Sequence, residues 1–131
     1  MSIDLTVSGG GRFEEIGGYS RVRRVGALVF VAGTTAIEPS GRLHAPGDTY
    51  AQTQYVLERL GRLLEEVGAE LRHVVRTRTY LADITTTGEF VRAHGEVFAS
   101  IRPVATAVEA GLTTPGMMVE IEIDAVVPDE G

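Results

Sequence analysis

Apolar and polar positions along this chain switch repeatedly between a two-residue and a 3.6-residue period. Residues 21–32, RVRRVGALVFVA, alternate and predict two short strands turning at Gly26-Ala27. Leu28, Phe30 and Ala32 share one face of the second strand, and Val29 and Val31 the other. Both faces are apolar, so this strand is expected to be covered on both sides. Residues 38–47, EPSGRLHAPG, are punctuated by Pro and Gly and read as a loop. Asp48 then suits the N-cap of a helix ending near Val67, with Gly68 as its stop. Thr53, Val56, Leu57, Leu60, Leu63, Leu64 and Val67 line one face of that helix, a stripe broad enough to lie on a sheet. Residues 73–82 alternate again as a strand. A second helix is expected over 87–99, with Thr86 and Glu89 at capping-box spacing and Phe90, Val91, His94, Val97 and Phe98 pointing inward. Strands at 103–110 and 117–127 complete the pattern. In the last, Val119, Ile121, Ile123 and Ala125 share one face and Glu120, Glu122 and Asp124 the other.

Hairpin, helix, strand, helix, strand, strand is the order of an α+β protein: a mixed sheet of about six strands with two helices packed on one face. The second face of such a sheet needs a partner, which argues for an oligomer. The 131 residues fit a single domain, 1–131. Its core is expected at about 16–127, with 1–11 and 128–131 as flexible ends. A chain of this size buries roughly two thirds of its unfolded surface, enough to fold without staples.

Composition removes several chemistries. There is no cysteine, which excludes thiol catalysis, thiolate metal sites and disulfides. Every basic residue is Arg, so Schiff-base chemistry on lysine is excluded, while guanidinium groups remain for carboxylates or phosphates. A net charge of −6 sets the chain against polyanions, and nucleic acid is not expected as a partner. No apolar run reaches the roughly 18 residues of a membrane span, and MSIDLTVSGGGRF lacks a signal-peptide core. A cytoplasmic protein that does not engage membranes is the expectation.

Several segments carry a resemblance. Gly18-Tyr19-Ser20 resembles a Gly-Pro-Tyr-Ser/Val turn, and Leu28 to Gly33, LVFVAG, a strand written LVFVSGQ. Ala51-Gln52-Thr53 opens the long helix as AQT does, and Val74 to Asp83 parallels VVKTTVFLTDM. With Arg102-Pro103 and Val119-Glu120-Ile121-Glu122, these motifs in this order are similar to the RidA (YjgF/YER057c/UK114) family over roughly 16–127. The resemblance implies a chorismate-mutase-like (RidA/YjgF) fold and a homotrimer with clefts between subunits. It also implies hydrolysis of reactive enamines and imines, made by PLP enzymes, to keto acids and ammonia. A small-molecule metabolite is then the partner, with no cofactor and no metal. It casts Glu120 as the catalytic residue that positions water, and Tyr19, Gly33, Thr34, Arg102, Ala105 and Thr106 as substrate-binding positions. Ala32 and Thr34 stand where Ser and Gln are common. In Pro103-Val104-Ala105-Thr106, Ala105 occupies the place of the carboxylate-binding Arg of PARS or PARST. A methyl group cannot make that bidentate pair. In this the chain resembles the YjgH-like members, which also lack the Arg.

Each candidate has a plainer alternative. Glu120 either orients water or belongs to a solvated, salt-bridged face with Glu122 and Asp124. Arg76 and Arg78, on one face with Tyr80, either grip an anion or pair across strands with Glu120 and Glu122. Arg102 reaches the cleft or marks a strand entry at the surface, and Tyr19 lines a cleft or packs in its turn. His44, His73 and His94 lack ligand spacing, and His94 reads as a satisfied core histidine. Ser20, Ser40 and Ser100 lack a nucleophile elbow, and Gly9-Gly10-Gly11 is not a phosphate loop. Three functions are carried forward: a RidA-like enamine/imine deaminase or related hydrolase, a trimer that binds a metabolite without turnover, and an endoribonuclease.

Overall fold

A computed structural model describes residues 2–11 and 13–129. The elements in chain order are β1 (Asp4–Val7), α1 (Glu14–Gly17), β2 (Val22–Val25), β3 (Leu28–Thr35), α2 (Thr49–Glu65), β4 (Val74–Leu81), α3 (Thr87–Phe98), β5 (Val104–Glu109) and β6 (Val119–Val126). They form one six-stranded sheet in the order β1-β2-β3-β6-β4-β5. All pairs are antiparallel except β4 with β5, which run parallel on either side of α3 in sequence. The last strand therefore lies in the middle. Val119, Ile121, Ile123 and Ala125 are buried on its helix side with Leu57, Leu60 and Leu64 of α2. That burial is the main driving force for the two-layer arrangement.

Local chemistry sets the boundaries. Gly26 opens the β2–β3 turn with φ 60°, a conformation glycine adopts without a Cβ penalty. The Asp48 carboxylate caps α2 by accepting from the Ala51 N–H at 2.9 Å. At the other end, Gly68 has φ 78° and its N–H donates to the Glu65 carbonyl. The buried Arg24 completes this end: Nη1 donates to the Val67 carbonyl at 2.6 Å and Nε to the Gly26 carbonyl at 2.9 Å. Gln52, fully buried, donates to the carbonyls of Ala45 and Gly116 and accepts from the Met118 N–H at 2.8 Å. One amide thus joins the start of α2 to the entry of β6, two residues before Glu120.

Five expectations change. Asp4–Val7, placed by the sequence in a flexible end, pairs as edge strand β1 on β2; Met1, Glu130 and Gly131 of the expected ends lie outside the described residues. Short α1 adds a helix to the two expected. Thr86 does not form a capping box: its hydroxyl donates to the Asp83 carbonyl and accepts from Thr49, and a turn of 3-10 helix at Ile84–Thr86 leads into α3 instead. Val91 faces solvent, while Phe90 and Phe98 are buried as expected. In the single chain β3 is covered on its Val29 and Val31 face only, and Leu28 and Phe30 lie open. The open sheet face carries these apolar side chains beside the acidic row of β6.

Candidate active site

Glu120, Glu122 and Asp124 lie half-buried on the open face of β6. Two of the three are engaged. Asp124 Oδ2 is 3.3 Å from Arg78 Nη1 and 3.8 Å from Arg76 Nε. Glu122 accepts from the Tyr80 hydroxyl at 2.8 Å, with Arg78 at 3.9 Å. The Tyr80 phenol is held above its ordinary pKa, first by this hydrogen bond and then by burial. Among the described residues Glu120 has no hydrogen bond or ion pair, although it stands in register with Tyr80 and Thr35. Arg76 and Arg78 are therefore taken up by cross-strand pairs, as one of the sequence alternatives held. The pairs lie with Glu122 and Asp124, one register step from the expected Glu120 and Glu122.

Gly33 explains where the Glu120 carboxylate rests. The β3–β6 register shifts between Val31 and Thr34, a bulge that lifts Gly33 out of the regular ladder. A Cβ built on Gly33 would overlap Glu120 Oε2 and stand 3.0 Å from its Cδ. The carboxylate thus lies directly against the Gly33 backbone, a close approach that only glycine permits. From the other side, Arg21 Nη2 donates to the Gly33 carbonyl at 2.9 Å and Arg59 Nη1 to the Thr35 carbonyl at 2.8 Å. Thr34 is fully buried, its hydroxyl donating to the Ala32 carbonyl at 2.8 Å. Its side chain is therefore directed into the protein rather than onto the open sheet face.

Tyr19 is half-exposed, after Gly18 at φ 73°. Its ring folds back over Gly17, where an added Cβ would stand 2.8 Å from Cε2. With Ser20, Arg23, Phe30, Glu122 and Asp124 it lines a cavity of about 440 Å³ on the open sheet face. Gly33 and Glu120 lie against each other, while Tyr19 lines a cavity that contains Ala32 and Glu122 but neither of these two residues.

Arg102, Ala105 and Thr106 are not brought to Gly33 and Glu120. Ala105 pairs with Thr77 and Thr106 with Arg78, on edge strand β5. Two strand spacings, roughly 10 Å, separate β5 from β6. Ala105 shares the helix-side face with buried Thr77, opposite to Glu120. Arg102 is exposed, with φ 61° before Pro103, and lines a separate cavity of about 230 Å³ with His94, Phe98 and Ala99. Ala105 and Glu120 thus occupy different parts of one chain.

No group of metal-ligating side chains occurs among the described residues. His94 sits between Phe90 and Phe98 with Nε2 3.0 Å from the Thr77 hydroxyl, and burial pushes its pKa down. It is the satisfied core histidine that the sequence suggested. His44 pairs with Glu38 at 3.0 Å and stacks on Tyr55. The carbonyl-binding roles of Arg21 and Arg59 were not foreseen, because nothing in strand or helix periodicity marks a side chain that reaches across to a bulge. Gly33 inside an otherwise apolar strand is the signal that identifies the bulge.

A helix-covered mixed sheet with its last strand at the centre, presenting one unpaired carboxylate over a glycine bulge, is an α+β protein of the chorismate-mutase-like class. Comparison with known proteins narrows this. The family model described as Endoribonuclease L-PSP matches residues 10–127, and the chain belongs to that family, the RidA/YjgF family. A crystal structure of a YjgF/YER057c/UK114 family member from Mycobacterium tuberculosis superposes with a TM-score of 0.84 at 44% identity, covering 95% of this chain and 100% of that one. A RutC family protein of Pyrococcus abyssi is 35% identical over 82% of this chain and 84% of its own length. The 2-iminobutanoate/2-iminopropanoate deaminase of mouse is 29% identical over 85% of this chain and 82% of its own.

Proposed function

We propose that this protein hydrolyses a small reactive imine or enamine to a carbonyl compound and ammonia, with Glu120 managing the water. The observation that carries this reading is the unpaired state of Glu120 beside two fully engaged acidic neighbours. A half-buried carboxylate without a protein partner is available to accept a hydrogen bond from water. In the reaction, water oxygen adds to the C=N carbon while Glu120 takes one water proton, and the carboxyl passes that proton to the nitrogen, which has received the C=N electron pair, to give a carbinolamine. The Glu120 carboxylate then takes the carbinolamine hydroxyl proton and delivers it to the amine as the C=O bond forms and the C–N bond breaks, releasing ammonia and the carbonyl product. Fixing water and electrophile together supplies much of the acceleration. The mouse relative bears the name of such a deaminase, which supports the reaction class.

We assign the working unit as a homotrimer. Glu120, Gly33 and Tyr19 form one half of a cleft, and edge strand β5, with Ala105 and Thr106, faces it from a neighbouring copy. This reading accounts for the separation of the two residue sets in one chain and for the exposed apolar side chains Phe30, Val104 and Val108. With a methyl group at 105, the substrate lacks a bidentate carboxylate anchor there, so preference shifts toward imines whose binding does not depend on one. Arg76 and Arg78 do not restore the anchor, since both are held by Asp124 and Glu122.

Ala105 also favours a second reading, a trimer that holds a metabolite in these clefts without turning it over. RNA cleavage ranks below both, because a net charge of −6 works against holding a polyanion. Freshly generated imines mixed rapidly with wild type and Glu120→Gln decide between catalysis and storage. Catalysis predicts acceleration by wild type and its loss in the variant. A ligand that raises the melting temperature yet emerges unchanged supports storage.

A further inference from the structure

A trough of about 730 Å³ runs between α2 and the loops at 9–11 and 37–41, away from Glu120 and Tyr19. Its volume lies in the range of small-molecule sites. Ile37, Pro39, Tyr55 and Leu63 supply apolar wall, and Arg59 reaches into it from the middle of α2. Arg59 is half-buried and spends one N–H on the Thr35 carbonyl. Among the described residues it meets no carboxylate. Burial first, and then the cations Arg21 and Arg62, depress its pKa, with the Tyr55 phenol acting in the opposite sense. Arg21 Nε is itself a buried donor without a partner. The nearby acids are engaged elsewhere or peripheral: Glu14 accepts from the Gly9 and Gly11 amides, Glu38 from His44, and Glu58 pairs with Arg62, while Glu65 and Glu66 stand exposed on the rim. A half-buried cation without a counter-charge is costly unless something supplies one.

We propose that this trough is a second binding site, for a small carboxylate with an apolar body, whose carboxylate sits on Arg59. The guanidinium offers its remaining N–H groups as a fork to the anion, and the walls cover the apolar part. The site is distinct from the one proposed around Glu120, which it adjoins only through the Arg59 bond to the Thr35 carbonyl.

The test uses 3-phenylpropionate as probe, with 3-phenylpropionamide as the uncharged control and inorganic phosphate as the anion without an apolar body. Wild-type protein should gain several degrees in melting temperature with the carboxylate and little with either control. Amide resonances of Gly41 and Tyr55 should shift on titration, and those of Ser20 and Phe30 should not. Arg59→Met should fold with an unchanged or higher melting temperature, since the unpaired charge is gone, and lose the response. Arg59→Lys should bind at least tenfold more weakly, because an ammonium cannot present the fork, and Glu120→Gln should bind as wild type does. The assignment is overturned if wild type does not respond, if either control matches the carboxylate, or if Arg59→Met responds undiminished. It is equally overturned if the resonances that move are those of Ser20 and Phe30. The wild-type titration stands whether or not the variants fold.

Discussion

Glu122 and Asp124 hold Tyr80, Arg78 and Arg76 across the β6–β4 boundary, and Glu120 has no hydrogen bond or ion pair among the described residues. Its position depends on what lies beneath it. Gly33→Ala would place a methyl group where the carboxylate now rests, and the flexible Glu120 side chain would swing away. We expect imine hydrolysis to fall at least tenfold while the melting temperature moves little, because the displaced atoms end a mobile side chain. Steady-state rates alongside a thermal melt check this. At this scale the family resemblance singled out Glu120, whereas strand alternation by itself could not distinguish it from Glu122 and Asp124. Alternation puts all three on one face, and only the cross-strand register assigns their partners. For the same reason Arg76 and Arg78 stood open as anion ligands until β4 was laid against β6.

The elements are held by a few buried polar side chains whose loss should be felt. Gln52→Leu removes the amide that links the carbonyls of Ala45 and Gly116 to the Met118 N–H, leaving those groups unsatisfied. A cost of about 2–4 kcal/mol is expected, readable as a lower denaturant midpoint. Activity should fall with it, since β6 enters the site from Met118. His94 gives a pH signature. Burial holds its folded-state pKa below the ordinary 6.5, so the unfolded chain takes up the proton first. This contribution is whole above about pH 6.5, declines as pH falls through that value and flattens below the folded-state pKa. His94→Gln, which can keep the bond to Thr77, should flatten that part of the stability profile in urea titrations.

Most elements were legible: the hairpin turn at Gly26, the Asp48 cap, the stop at Gly68 and the central acidic-apolar strand follow from local chemistry. Strand β1 was not. DLTV is short and its neighbours are glycines, and its pairing depends on an edge that β2 presents only once the hairpin has formed. Thr86 has the spacing of a capping box, but its hydroxyl is claimed by Thr49 and Asp83, a tertiary competition that a local motif cannot register.

For the whole molecule, the open sheet face is the feature that asks for an explanation. Phe30, Leu28, Val25 and Val126 lie exposed there, with Val104 and Val108 on strand β5. Cover by further copies predicts a particle of three times the 14.0 kDa of one chain in analytical ultracentrifugation. Phe30→Glu should shift it toward the single-chain mass, and a wild-type protein sedimenting as one chain would contradict the assembly. The bare face itself was legible from two helical stripes serving one sheet. That the anchor position and the carboxylate fall on different parts of a chain was not, because periodicity gives faces and not strand order.

The most direct test of the account is the hydrolysis of freshly generated 2-iminobutanoate and of an imine without a carboxylate, followed by ammonia release with wild type and Glu120→Gln. The account predicts acceleration by wild type, greater for the imine without a carboxylate, and a fall of at least 100-fold, about 2.7 kcal/mol of barrier, in the variant. Equal rates for the two proteins, or none above buffer for either substrate, would contradict it.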